Sequence, residues 1–174
     1  MGRKFHILNV VLAVIAVAAV CMFVWAMPGK SYCSDQSVVH LYFADRENRF
    51  LIAEDRAVSH SDEPADLGII IIKELIGGPR KGLMQTIPTG TNLRAFYITR
   101  DGTAYVDLTR EITEEHPGGV KSEILTIYSI VNTLILNIPE INTVKILIGG
   151  HESPILTGHI DLRFSFKADM LLIR

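Results

Sequence analysis

The hydrophobic period changes several times along the chain, and each change predicts an element. The first is an unbroken run: "VVLAVIAVAAVCMFVWAM", Val10 to Met27, is 18 consecutive apolar residues, and Ile7 and Leu8 extend it with only Asn9 between. A helix rising about 1.5 Å per residue needs roughly 20 such residues to cross a bilayer core. Residues 7–27 therefore read as one transmembrane helix. "PGKSYCSDQ", from Pro28, is short and polar, and residues 28–37 read as a stalk. Period-two alternation follows: "SVVHLYFA" (Ser37 to Ala44) and "FLIAEDRAV" flank the polar turn "RENR" and predict an opening hairpin.

"SDEPADLGIIIIKELIGGP" is ambiguous, because four isoleucines suit a buried strand. Ser61 and Asp62 as caps, Pro64 in a first turn and the stripe Leu67, Ile70, Ile71, Leu75 favour a helix. Gly77, Gly78 and Pro79 then supply a left-handed cap and a residue that cannot continue the helix. "TNLRAFYITRDGTAYVDLT" predicts a second hairpin: Leu93, Ala95 and Tyr97 alternate, Asp101-Gly102 turns, and Ala104, Val106 and Leu108 alternate on the return. From Val120 to Pro139, Ile124, Ile127, Tyr128, Val131, Leu134, Ile135 and Ile138 keep helical spacing. "TVKILIGG" is a strand, and "TGHIDLRFSF" is expected to close the domain as a strand or extended edge. The predicted class is α+β, a mainly antiparallel sheet with two packed helices, preceded by one N-terminal transmembrane helix.

Composition sharpens the membrane reading. The 174 residues are 48% hydrophobic, and mean hydropathy is +0.28. A cleaved signal has a shorter apolar region, of about 7–15 residues, and the only cleavage-like site here is a weak Val-Trp-Ala. Lipid attachment at Cys21 is disfavoured by bulky Val20 before it and by apolar sequence beyond it. Arg3 and Lys4 precede the span, so residues 1–6 stay cytoplasmic and residues 38–174 form an extracytoplasmic domain of a single-pass inner-membrane protein. Setting Arg3 and Lys4 aside from the 17 basic residues leaves 15 against 19 acidic ones, near −4 outside. That balance argues against nucleic acid as a partner, which needs a basic footprint. Cys21 lies in the span and Cys33 just beyond it, so no bond within one chain is expected, and only Cys33 could bridge two chains.

Candidate chemistry is thin. "KELIGGPRKGLMQTIPTG" has the glycines and bases of a phosphate cradle, and Gly77 and Gly82 match the P-loop spacing. However, Leu83-Met84 stand where Lys and Ser/Thr are required, and the loop ends a helix rather than starting one. Gly77, Gly78, Pro79 and Gly90 are read as turn and cap residues. "HESPI" at His151 imitates H-E-x-x-H, but Ile155 replaces the second histidine, so no metal site is assigned. Asp107, Glu111, Glu114 and Glu115 lack calcium-loop spacing and a partner base. Asp107 in "YVDLTR" and Asp161 in "HIDLRF" sit at strand ends, where a carboxylate commonly closes a turn. No catalytic residue and no cofactor is assigned. A hydrolase using Asp107, Glu111 or His151 lacks an activating pair.

The ordered phrases "VVHLYFAD", "KELIGGP", "IPTGTNLRAFYITRDGTAYVDLTREI", "EILTIYSIVNTL", "VKILIGG" and "GHIDL" resemble the GerMN domain family of sporulation and germination proteins, from about Val38 to Leu162. The resemblance implies an α/β module held on the outer side of the membrane by a lipid or a helix. It also implies a role in assembling envelope complexes rather than in catalysis. This chain departs in carrying one such domain, a helical anchor, and Arg163 where Ser or Thr often follows the Asp-Leu pair, so a sporulation role does not carry over. The expected partners are its own membrane and an envelope protein or a second copy. The alternative is a binder of a small ligand or cell-wall glycan, between the Gly77–Gly90 and Gly149–Gly158 loops.

Overall fold

The computed structural model describes residues 36–174. The cytoplasmic residues 1–6, the span 7–27, Cys21, Cys33 and the stalk up to residue 35 lie outside the described residues. The β-branched and aromatic runs form strands β1 (Gln36–Ala44) and β2 (Leu51–Ser59), paired antiparallel in unbroken register from Gln36↔Ser59 to Ala44↔Leu51. Helix α1 (Pro64–Ile76) follows, then β3 (Leu93–Ile98), β4 (Thr103–Leu108), a single turn α2 (Glu111–Glu114), the long helix α3 (Val120–Asn137) and β5 (Thr143–Ile148). A 3₁₀ turn, Met170–Leu172, sits near the C-terminus.

The class is α+β, but the expected sheet is corrected in two ways. The described residues form two sheets, β1-β2 and β3-β4-β5, and the second is mixed: β3 runs antiparallel to β4, whereas β5 runs parallel to it. The reason is the connection. β4 and β5 are joined through α2 and α3, and a crossover of that length returns the chain in the same direction. The expected closing strand over Thr157–Phe166 is likewise an irregular strap, whose strand-type pairing is confined to isolated bridges such as Val144↔Phe166 and Ile155↔Asp161. Gly158, at φ +141°, interrupts it where a regular strand would have to pass.

Local readings change for similar reasons. The α1 N-cap is Glu63, not Ser61 or Asp62, and it makes no side-chain cap bond; Pro64 opens the helix. On β3 the buried residue is Phe96, while Ala95 and Tyr97 face outward, because an irregularity between Leu93 and Ala95 shifts the register. On β4 both faces are covered, and Ala104, Val106 and Leu108 are fully buried.

Helix α3 is the largest revision. Its spacing predicts one apolar face, yet Glu123, Thr126, Ser129, Asn132 and Thr133 are buried along with Ile127, Ile130, Val131 and Leu134. The helix packs on β1, β5 and α1, so the main core runs from Leu41 and Phe43 through α3 to Val144 and Ile146, with a smaller cluster of Tyr42, Ala44, Leu51 and Leu125 beside it. Helix α1 closes on β3 at Gly68, where an added Cβ would run into the Phe96 ring. Alanine there gains about 1 kcal/mol of helix propensity against about 1–3 kcal/mol of overpacking. Gly68→Ala is therefore expected to lower the urea-unfolding free energy by about 1 kcal/mol; a more stable variant would contradict this packing.

Candidate functional site

The two glycine loops are the places where a ligand would be sought first. At the end of α1, Gly77 keeps helical geometry at φ −60° and donates to the Lys73 carbonyl at 3.0 Å. Gly78, at φ +82°, makes the left-handed turn, and Pro79 follows. The amides beyond it point inward. Arg80 N–H donates to both oxygens of Glu54 (3.1 and 2.9 Å) and Lys81 N–H donates at 2.8 Å. The cradle that resembles a phosphate loop thus holds an anion already, supplied by β2.

That carboxylate is itself locked. Glu54 and Arg56 are 2% and 3% exposed and paired with each other, and Arg56 also donates to the Gly78 carbonyl and to Glu74 (3.2 and 3.1 Å). Burial alone would raise the Glu54 pKa. The hydrogen bonds from Arg56, Arg80 and Lys81 outweigh it and hold the carboxyl below its ordinary value. At the far end of the loop, Gly90 N–H donates to Glu115 at 3.2 Å, and an added Cβ at Gly90 would meet that carboxylate at 2.5 Å.

The second loop is built the same way. Gly150 N–H donates to Asp107 at 2.8 Å, and Arg94 holds the other Asp107 oxygen at 3.1 Å. Further along, Glu123 of α3, fully buried, accepts from the amides of Thr157, His159 and Ile160, each at 3.3 Å, and from His159 Nδ1 at 2.5 Å. Burial opposes the charge here too, but these bonds win and hold Glu123 at a pKa of about 2. Asp161 is grasped by Arg163, through its backbone N–H at 2.9 Å and its guanidinium at 2.8 Å, which also brings it to about 2. Asp107 and Asp161 thus close different turns and share no partner.

The remaining candidates stay apart. His151 is exposed at the turn after β5, and Glu152 faces Lys145 at 3.5 Å. Among the described residues, no three His, Cys, Asp or Glu side chains are grouped to hold a metal ion. An open cavity of about 280 Å³ is walled by Asn48, Gln85, Thr89, Glu115, Pro117 and Ser122. Another, of about 320 Å³, has Arg110, Thr113, Glu114, His151 and Glu152 in its wall. The Gly77–Gly90 loop lines the first and the Gly149–Gly158 loop the second, so the two loops do not form one site.

Behind the first cavity lies a cluster that sequence reasoning missed. His116 Nε2 meets the Thr126 hydroxyl at 3.0 Å, and that hydroxyl donates to the Thr86 carbonyl at 2.5 Å. The Gly118 N–H donates to His116 Nδ1 at 3.0 Å. The imidazole is therefore the donor toward Thr126, in its neutral form, and burial lowers its pKa accordingly. A histidine placed so cannot take the threonine proton, and the pair braces α3 rather than arming a nucleophile. Only the polar spacing along α3 (Glu123, Thr126, Ser129, Thr133) hinted at it.

The Germane family, described as "Sporulation and spore germination", matches residues 40–154. No curated protein matches the chain. A presumptive lipoprotein from Clostridium perfringens is similar at 27% identity and a TM-score of 0.56, over 76% of this chain and 87% of its own. The first GerMN domain of the sporulation protein GerM from Bacillus subtilis matches at 23% identity and TM-score 0.58, over 78% of this chain and 98% of the domain. The tandem GerMN domains of that protein match at 21% and 0.57, over 75% of this chain and 46% of the tandem. These last two likenesses are of fold.

Glu123 sets a pH dependence whose sign is fixed by its low native pKa. Its contribution is complete above the unfolded carboxyl value near 4.5 and is lost as pH falls toward about 2. Glu123→Gln is expected to cost on the order of 2 kcal/mol at neutral pH. In urea unfolding, the gap between native chain and variant should narrow steadily below pH ~4.5. A gap that stays constant down the acid range would contradict the clamp.

Proposed function

Because this chain belongs to the Germane family of sporulation and spore germination domains, we propose that it is a non-catalytic assembly module of the bacterial envelope. It would be held outside the inner membrane by its N-terminal span and work by contacting another envelope protein or a second copy of itself. The observation that carries this reading is the inward commitment of its loops: Glu54, Asp107 and Glu123 occupy the amides that would otherwise cradle a ligand. A fold that fills its own anion sites is suited to presenting surfaces, and the one serine–histidine–aspartate contact among the described residues, Ser37–His60–Asp62 (2.7 and 3.0 Å), is exposed and lies in the wall of neither cavity.

Membrane attachment draws support from the apolar run before the domain and from the likeness to a presumptive lipoprotein. Among the described residues, no helix is long and apolar enough to cross a membrane, so the proposed attachment rests on residues 7–27. A second reading, binding of a small hydroxylated ligand such as a cell-wall sugar, is favoured by the polar walls of the 280 Å³ cavity, where Asn48, Gln85, Thr89 and Ser122 offer hydrogen bonds.

In-cell crosslinking of the full-length, membrane-bound chain with mass spectrometry of the adducts separates the two. The assembly reading expects a self-adduct or one recurring envelope protein well above background. Scattered neighbours only, together with saturable binding of cell-wall fragments that Gln85→Ala weakens, would replace it with the second reading.

A further inference from the structure

The main-chain directions in the first sheet show which edge is open. Asn137, at the end of α3, bonds His40 like a neighbouring strand, accepting from its N–H at 2.8 Å and donating to its C=O at 2.7 Å. Tyr42 N–H donates to the Thr133 hydroxyl at 3.1 Å, and the Ala44 carbonyl accepts from Met84 N–H at 2.8 Å. His40, Tyr42 and Ala44 therefore direct their main-chain groups away from β2. In an antiparallel ladder, directly opposed residues point their groups the same way, either both toward or both away from each other. Their partners Asp55, Ala53 and Leu51 must then point away from β1, and the Leu51 carbonyl does, accepting from Arg174 N–H at 3.0 Å.

Beyond Leu51 that outer edge is bare. The N–H and C=O groups of Ala53, Asp55 and Ala57 have no hydrogen-bond partner among the described residues, and all three side chains are exposed. The edge has no proline, lysine or bulge; its exposed charge, Asp55, is held by His40, and the inward charges Glu54 and Arg56 are paired with each other. The free edge of the other sheet is guarded: β3 carries a register irregularity and the exposed Arg94.

We propose that the Ala53–Ser59 edge of β2 is a self-association surface, pairing antiparallel with the same edge of a second copy to make one continuous four-stranded sheet. This rests on the assembly reading and names its surface. A foreign peptide added to an edge is selected by pockets for its alternate side chains, and the outward face here offers only Ala53, Asp55, Ala57 and Ser59. Self-pairing needs no pocket. A register with Asp55 opposite Ala57 and Ala53 opposite Ser59 keeps the two Asp55 carboxylates apart, and Asp55 already has His40 at 2.8 Å as its own partner; Arg56 falls opposite its own copy on the inner face, where each guanidinium is already held by Glu54 of its own chain. One strand pair is a small contact beside the area of a stable dimer, and the proposed tether supplies the local concentration it needs.

The test uses full-length chain in liposomes, labelled at the C-terminus, with energy transfer between copies followed as surface density rises. The Ala57 N–H points outward, so Ala57→Pro removes an edge donor without breaking the hairpin. The expected result is transfer that saturates for the native chain and requires at least tenfold higher density for Ala57→Pro. Amide exchange supplies a check that needs no variant: Ala53, Asp55 and Ala57 should slow as density rises. Saturating transfer that Ala57→Pro leaves unchanged, with these amides still fast, would overturn the β2 surface and leave assembly standing through another face. No transfer at any density overturns self-pairing, and the crosslinking experiment then decides whether a foreign partner keeps the assembly reading alive.

Discussion

The structure depends on a helix that has no solvent face of its own. Helix α3 carries 18 residues between the two sheets, and burying an unpartnered hydroxyl or carboxylate costs several kcal/mol. Each polar group on it must therefore find a partner, and the partners are loops. Ser129 meets the Thr86 hydroxyl at 2.7 Å, Asn132 donates to the Asp169 carbonyl at 2.9 Å and accepts from its N–H at 2.9 Å, and Glu123 gathers residues 157–160. Segments with no regular structure become fixed because α3 requires their hydrogen bonds. At its C-terminal end the same helix covers part of the β1 edge, through Thr133 and Asn137.

The same economy decides what the surface can do. Backbone amides in glycine-rich turns attract anions, and in an enzyme or nucleotide-binding protein they meet substrate. Here Glu54 and Asp107 reach those amides from neighbouring strands. Arg56, buried at 3% exposure, neutralises Glu54 while contacting the end of α1. A charge pair so enclosed is a costly way to stabilise a fold, and its geometry serves to fix the loop between α1 and β3. What the fold leaves open is main chain along one strand and shallow polar cavities, a surface suited to contact with other chains.

Most elements were legible because their patterns are local. Alternation with Asp101-Gly102 marked the second hairpin, and Pro64, Gly78 and Pro79 bracketed α1 despite its isoleucine run. What was hidden depends on distant partners. Nothing near Ala95 announces the irregularity that turns Phe96 inward. The parallel pairing of β5 follows from the crossover length rather than from its own residues. Thr126 and Asn132 look like solvent-facing residues until a second sheet is placed against them. The site residues show the same division: Gly78 could be placed as a turn from its neighbours, but the role of Glu54 requires knowing that β2 lies beneath residues 80 and 81.

The glycine loops are closed from within and are not waiting for an anion. Amide-resolved NMR of the full-length chain, titrated with inorganic phosphate, tests this most directly at Arg80, Lys81 and Gly150. Amides already bonded to Glu54 and Asp107 should exchange slowly before any addition and show no saturable shift as phosphate rises. Fast exchange in the free protein, with shifts that saturate and slow it, would mean that an external anion completes these loops, and the domain would have to be read as a binder of that anion.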